Sequence, residues 1–393
     1  MAVKKKKRLS LLAKILIFLI IISIVGISGT ITIGRFYHYE KIKEVQFTSE
    51  EVKTKPAKRE YHASLVMVGD SLIHSSIYED AKQKDGSYDF KPMIENIKPL
   101  IQNYDLKYYN QETILGGTEL GLSNYPRFNS PYEVGDAFID AGFNLVSLAT
   151  NHTMDKGEIG VINSHNYWQK HSDIYTAGSY TSFEERDIPV IKEVNGIKYS
   201  FLSYTTWTNG LYPESGKEYL NNVYSNELAK ADIERVRDQV DVIIVAMHWG
   251  TEYSHGVSQE QQEIANYLSS LGVNIIIGTH PHVVEPIDFI NNTLVIYSLG
   301  NFISDQVGIE RLTGLMASVD INKTVEDHNT QIELTNVKAE LLYTDSNNYG
   351  KRNFKVIPYT QLNNTILPNY KEYYQTYKNI VLERNKNIIM PEL

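Results

Sequence analysis

The 393-residue chain contains no cysteine. That absence excludes disulfides, thiolate metal sites, a cysteine nucleophile and a lipoprotein anchor. Any metal must be held by His, Asp, Glu or Asn. Other signatures are missing too. There is no Gly-rich Walker loop for nucleotide phosphates, no Gly-x-Ser-x-Gly nucleophile elbow and no His-Glu-x-x-His helix. Internal repeats are absent. Positive charge is outnumbered beyond the N-terminus. Residues 1–43 hold nine Lys/Arg against one Asp/Glu, so the overall charge of −9 leaves −17 on residues 44–393. So acidic a body argues against nucleic acid as a partner.

What is present begins with Lys4–Arg8, five basic residues in a row. After Lys14, the 20 residues Ile15–Gly34 carry no charge until Arg35. That length suffices to cross a hydrocarbon core of ~30 Å. Basic residues ahead of the span predict a single-pass protein of the cell membrane, with its N-terminus inside and its body outside. A cleaved signal peptide is the competing reading, with Gly26, Ser28 and Gly29 as a cleavage site. The apolar run is longer than the ~7–15 residues of a signal core, which favours an uncleaved anchor. Arg35–Arg59 is charged and polar, contains Pro56 and reads as a stalk.

Beyond the stalk, apolar strands alternate with helical stretches, the pattern of an α/β fold. Leu65–Val68, Leu106–Tyr109, Asn144–Ala149, Val242–Met247 and Val273–Ile277 read as strands. Pro92–Ile101, Tyr132–Ala141, Glu158–Lys170, Asn222–Gln239 and Ser258–Leu271 read as helices, with Ser130 as the N-cap and Gly142 as the stop of the second. Val190–Val194 and Lys198–Tyr204 flank Asn195-Gly196, a strong hairpin signal. After Phe302 the alternation ends. Leu315–Ile321, Val337–Tyr343 and Phe354–Tyr359 read as strands with no helices between, and Tyr370–Asn385 as a terminal helix.

Five strands end in polar residues capable of chemistry: Asp70, Asn110 with Glu112, Asn151 with His152, His248, and His280 with His282. Each has a plain alternative. Asp70 suits an N-cap, Asn151 and Asp155 suit a turn, and two loop histidines suit a solvated edge. Strand ends of one sheet converge on a common edge, however, so five in succession point to one shared site. A donor set of oxygen and nitrogen suits Mn²⁺, Zn²⁺, Fe or Mg²⁺. Two such ions would activate water and stabilise both oxygens of a phosphoryl displacement. Asp155 is placed to orient His152.

Six motifs resemble the poly-gamma-glutamate capsule biosynthesis CapA family, itself similar to calcineurin-like metallophosphoesterases. They are Gly69-Asp70, Asn110-x-Glu112, Ser147-Leu148-Ala149-x-Asn151-His152, His248-Trp249-Gly250-x-Glu252, Gly278-x-His280-Pro281-His282 and Ser298-Leu299-Gly300-Asn301-Phe302. The resemblance covers about Ala63–Asp305. It implies a four-layer α-β-β-α sandwich of metallophosphoesterase type, preceded by a transmembrane helix and followed by a β-rich extension. The corresponding division is a basic cytoplasmic tail (1–9), an anchor (10–34), a stalk (35–61), the CapA-like domain (62–310), the extension (311–360) and a helical tail (361–393). Carried over position by position, Asp70, Glu112, Asn151, His248, His280 and His282 would ligate metal. His152, oriented by Asp155, would protonate or steady the leaving group. Asn110, Glu252 and Asn301 would face substrate or support the ligands. The sequence departs from the wider phosphoesterase pattern where Ser71-Leu72 follow Asp70 in place of an Asp-x-His pair, and where Asn110 and Glu112 replace an Asp. One or two metal ions are therefore compatible with it. Trp207 stands where the capsule family suggests Gly.

The resemblance implies a membrane-anchored hydrolase acting on an anionic polymer or its precursor, alongside other synthesis or export subunits. Two alternatives stay open: a non-catalytic metal-binding component of such a complex, and a metal-dependent amidase.

Overall fold

The computed structural model describes residues 9–44, 58–327, 329–347 and 351–393. It forms two units, Met1–Ala57 and Lys58–Leu393. Of the expected basic tail only Leu9 is described, and residues 45–57 of the expected stalk lie outside the described residues.

The first unit is one helix, Leu11–Glu44. Its segment Leu11–His38 is long and apolar enough to cross a membrane, a property that signal sequences share. The hydroxyls of Ser23, Thr30 and Thr32 donate to carbonyls one turn back. The helix continues past Gly34 into the expected stalk because residues 35–44 contain no Gly or Pro to stop it.

The second unit has fourteen strands among its described residues. The first four are β1 (Arg59–Ser71), β2 (Leu106–Asn110), β3 (Leu145–Ser147) and β4 (Tyr175–Ala177). Next come β5 (Lys192–Val194), β6 (Ile197–Thr205), β7 (Val242–His248), β8 (Ile275–Thr279), β9 (Ile287–Ile290) and β10 (Thr293–Ile296). The last four are β11 (Asn301–Ile303), β12 (Thr313–Glu326), β13 (Asn329–Asn347) and β14 (Arg352–Pro358). One sheet has the order β14-β13-β12-β1-β2-β3-β4, with β11 also paired to β1, and the other β5-β6-β7-β8-β10-β9.

Residue alternation shows why the sheets stack. In β7, Val242, Ile244 and Ala246 enter the core between the sheets, while Ile243, Val245 and Met247 pack beneath helices on the far side. A strand buried on both faces reads as a continuous apolar run, as this one does. Ala63, Leu65 and Met67 of β1 face the same inner core, and Val66 and Val68 the outer one. Helices Glu133–Ala141 and Gly157–Trp168 cover the first sheet through Val134, Phe138 and Trp168. Helices Asn226–Arg237 and Gln259–Ser270 cover the second through Ile233, Val236, Ile264 and Leu268. The result is the expected four-layer α-β-β-α sandwich.

Several local expectations are corrected. Pro92–Ile101 is two short turns, Lys91–Ile94 and Lys98–Ile101, because Pro99 has no N–H to continue a helix. Ser130 caps nothing: its hydroxyl pairs with Thr113 at 2.8 Å, and the helix begins at Glu133 without a side-chain cap. The helix expected from Asn222 starts at Asn226, where the Ser225 hydroxyl accepts from the N–H of Leu228. β12 and β13 far exceed their apolar cores. Ladder pairing, β12 to both β1 and β13, carries them through polar residues. The expected β-rich extension is thus β12, β13 and β14, which continue the first sheet beside β1. The terminal helix, Tyr370–Val381, extends the inner core through Tyr374, Tyr377 and Val381. Asn195 and Gly196, at φ 50° and 82°, form the hairpin turn as expected.

Candidate metal centre

Strand register brings the polar strand ends together. In the first sheet Asp70 lies opposite Asn301 on one side and Asn110 on the other, and Asn110 lies opposite Ser147. In the second, His248 lies between Thr205 and Thr279. These two rows face each other across the mouth of the sandwich. The register of β1 shifts near Asp70 against both β2 and β11, and such irregularities re-aim a side chain. Gly69 permits this close approach: a Cβ there would sit 1.8 Å from the Gly300 carbonyl oxygen.

Asp70 is fully buried. Its Oδ1 accepts from Asn110 Nδ2 at 2.7 Å, and its Oδ2 from the backbone N–H of His280 at 3.3 Å. His282 Nδ1 lies 3.3 Å from the same Oδ2. His280 and His282 occupy positive φ, 97° and 60°, a costly conformation for a residue with a Cβ. With it the chain aims both imidazoles into the cluster. His280 Nδ1 is 3.1 Å from His248 Nε2, which is itself 3.0 Å from Asn151 Oδ1. Glu112 Oε1 lies 3.8 Å from His248 Nε2 and 3.6 Å from His282 Nε2.

The electrostatics of this cluster are unusual. Burial, with His280 and His282 beside it, holds His248 well below the ordinary imidazole range. Burial likewise pulls His280 down to about 3. His282 goes the other way: burial opposes its charge, but Glu112 and Asp70 outweigh that and raise it to about 9. Burial pushes Glu112 well above the usual carboxylate range.

These residues fit a metal ion. Glu112 is completely buried, and neither of its carboxylate oxygens has a hydrogen-bond partner. Leaving such an atom unmet costs ~1–3 kcal/mol, more when it is charged. Ligand atoms of Glu112, His280 and His282 lie within 4.8 Å of one another. Two carboxylates and three imidazoles form a hard-to-borderline donor set that suits a divalent ion.

Beside the cluster, His152 Nδ1 lies 2.7 Å from Asp155 Oδ2, which also accepts from the backbone N–H of Phe128 at 2.6 Å. The carboxylate fixes the proton on Nδ1 and leaves Nε2 for chemistry. The edge of the Phe128 ring packs on His152, with centroids 4.7 Å apart.

Of the residues expected to face substrate or support the ligands, two lie against candidate ligands. Asn110 is fully buried, donating to Asp70 and accepting from Ser147 Oγ at 2.5 Å. Asn301 is buried as well. Its Oδ1 accepts from His282 Nδ1 at 3.0 Å, while its amide nitrogen donates to Gln306 Oε1 and the Arg311 carbonyl. Asn110 thus fixes the Asp70 carboxylate and Asn301 the His282 ring. Glu252 is exposed at the rim, close enough to raise His282 and Glu112. Trp249 is a packed wall, its Nε1 donating to the Tyr297 carbonyl at 2.9 Å. Thr279 and Asn209 were not singled out as site residues from the sequence. Thr279 Oγ1 lies 3.0 Å from His248 Nδ1. Asn209 accepts from Asn151 Nδ2 at 3.4 Å and lies 3.5 Å from His152 Nδ1. The one available hint was position: each sits at or just past a strand end.

Residues 64–306 match the family model described as bacterial capsule synthesis protein PGA_cap. The chain belongs to this family. Among its relatives, the PGA biosynthesis protein CapA of Bacillus subtilis (strain 168) is 34% identical over 175 residues, 42% of this chain and 44% of that protein. The capsule biosynthesis protein CapA of Bacillus anthracis is 27% identical over 256 residues, 62% of this chain and 60% of that protein. The chain thus spans about half the length of these curated relatives. Among solved structures, 5'-nucleotidase from Candida albicans SC5314 aligns with a TM-score of 0.39 at 14% identity, over 68% of this chain and 52% of that one. Every residue of the candidate centre falls inside the segment matched by the PGA_cap model.

Proposed function

We propose that this PGA_cap family member is a membrane-anchored, metal-dependent hydrolase of capsule or poly-gamma-glutamate synthesis. On this reading Leu11–His38 is an uncleaved single-pass anchor with its N-terminus inside, and the second unit works outside the membrane on an anionic polymer or its precursor. The relatives' names supply the capsule and PGA context. The observation that carries the hydrolytic reading is Glu112, a buried carboxylate with both oxygens unpartnered, set among His248, His280 and His282. Asp70, Glu112, His248, His280 and His282, with the Asn151 carbonyl oxygen, would hold the ion or ions. When bound, a divalent metal supplies Lewis-acid polarisation and a water that ionises near neutral pH.

The remaining work falls to the chain's own side chains. Asn301 and Asp70 fix the ring of His282, and Thr279 fixes that of His248. Asp155 holds His152 through Nδ1, which leaves Nε2 to deliver a proton to the departing oxygen or nitrogen. This oriented pair favours catalysis over passive binding.

The test uses the full-length chain in detergent, with metal content and hydrolysis of a chromogenic phosphodiester measured together. Both should be present, and both should collapse in His280→Ala and Asp70→Ala. Stoichiometric metal without turnover of any ester or amide would make the chain a binding component. Absence of metal at every concentration tried would end the reading.

A further inference from the structure

The loop that follows β6 is pinned to the mouth of the metal centre. The Thr206 N–H donates to the His248 carbonyl at 3.0 Å, and the Thr205 hydroxyl donates to the Trp207 carbonyl at 2.7 Å. Thr208 is fully buried, while Trp207 and Asn209 on either side of it are exposed. Asn209 sits at φ 54°, a left-handed conformation that Asn adopts more readily than most residues with a Cβ. An anchored loop thus presents one exposed carboxamide to the site.

The two ends of that carboxamide differ in what they meet. Asn209 Oδ1 accepts from Asn151 Nδ2 at 3.4 Å, and Asn151 Oδ1 lies 3.0 Å from His248 Nε2. No other acceptor meets Asn151 Nδ2 among the described residues. An amide has two ends of similar size and opposite polarity, and its last torsion is broad and two-fold. The partner at one end therefore decides what the other end presents. Because Asn209 offers an acceptor, the Asn151 nitrogen turns to Asn209 and its oxygen to His248. Turned over, Asn151 would aim N–H groups at His248 Nε2, and an N–H repels the cation that this nitrogen is placed to hold. The other end of Asn209 is uncommitted. Its Nδ2 lies 3.5 Å from His152 Nδ1, but that nitrogen already pairs with Asp155 Oδ2 at 2.7 Å. Two donors do not satisfy each other, so the Asn209 N–H groups stay free beside His152.

We propose that Asn209 is a positioning residue of the metal centre, holding Asn151 with its carbonyl oxygen toward His248, and that its free N–H donates to the substrate oxygen that departs beside His152. The donor role rests on the hydrolytic reading, whereas the positioning role needs only the metal, and the experiment reads them apart.

Asn209→Gly removes both ends of the carboxamide and leaves the backbone unstrained, since glycine accepts φ 54° freely. The full-length chain in detergent is titrated with Mn²⁺, the free ion being read by its electron spin resonance signal. Asn209→Gly should weaken Mn²⁺ binding by ~10-fold or more, the range for a residue that orients a metal ligand. Asn151→Ala should weaken it as well, and Asn209→Gly added to Asn151→Ala should cost nothing further, because the two act as one unit. At saturating Mn²⁺, kcat of Asn209→Gly should fall ~10²-fold on a nitrophenyl phosphodiester, as for loss of one donor to developing charge. The fall should be larger on a phenyl phosphodiester, whose more basic leaving oxygen needs more help. Unchanged Mn²⁺ affinity in Asn209→Gly, or an equal loss with and without Asn151, would overturn the positioning role. An equal fall in kcat on both esters, or none, would overturn the donor role. If the wild type binds Mn²⁺ but turns over neither ester, the hydrolytic reading fails and the donor role with it, while the Mn²⁺ titrations still decide the positioning role.

Discussion

Replacing Glu112 by Gln should cost far more stability with metal than without it. Burial pushes the Glu112 carboxyl well above the usual carboxylate range, and Gln keeps its shape without its charge. Both oxygens lack partners, and His248 and His282 nitrogens lie 3.8 and 3.6 Å away. Without metal Gln therefore breaks no hydrogen bond and loses only the attraction to His282, which relief from burying a charge offsets, so the change stays within ~1 kcal/mol. With metal the loss is larger. An ion at about 100 times its Kd adds ~2.7 kcal/mol to the folded state. A unit of roughly 340 residues has an unfolding entropy of roughly 0.7 kcal/mol/K, so this amounts to about 4 °C in Tm. Glu112→Gln should lose most of that gain, because a neutral amide cannot replace a carboxylate ligand. Thermal unfolding of wild type and variant, each with EDTA and with Mn²⁺, reads all four states. The reasoning is refuted if Glu112→Gln lowers Tm as much in EDTA as in Mn²⁺, since Glu112 would then be a structural residue.

Three further outcomes follow from the geometry. Glu285, buried against Gln261, is raised to about 8 by burial. The folded state then holds a proton that the unfolded chain releases near pH 4.5. Its stabilising share is present below that pH and is lost as pH rises to about 8, by up to a few kcal/mol. Glu285→Gln should flatten Tm between about pH 5 and 8, and an unchanged slope would count against burial as the cause. Gly69→Ala would place a Cβ 1.8 Å from the Gly300 oxygen and push β11 off β1, so chemical denaturation should show a loss of ~3 kcal/mol or more. Asp155→Asn should lower turnover of the chromogenic phosphodiester by ~10²-fold or more at unchanged metal content, because His152 loses the acceptor that fixes its tautomer. Loss of metal alongside activity would instead place Asp155 in support of the ligands.

Much of the site was legible because strands advertise themselves. Val242–Met247 and Ile275–Ile277 are apolar on both faces, so their ends could be located and the polar residues just beyond them named. His280, His282, His248, Asp70, Glu112 and the His152–Asp155 pair were all found in this way. Hairpin chemistry is equally local, which is why Asn195-Gly196 was readable. The lengths of β12 and β13 were not, because their polar halves are strands only through pairing with distant β1 and with each other.

By itself, then, the sequence determined what depends on neighbours along the chain: the apolar runs, the breaks after them, the membrane-length helix and the chemical types gathered at the strand ends. Only the tertiary structure decided how those side chains are used, because each use depends on a partner far away in sequence. Asp70 accepts from the backbone of His280, 210 residues on. Asn301 holds His282 and Asn110 holds Asp70, though both carry the same groups as a substrate-facing amide. Asn209 reaches Asn151 and His152 from a loop with no motif strong enough to mark it. Glu112 could be named from its place after a strand, but that both its oxygens are buried without a partner follows only from the packing of two sheets around it.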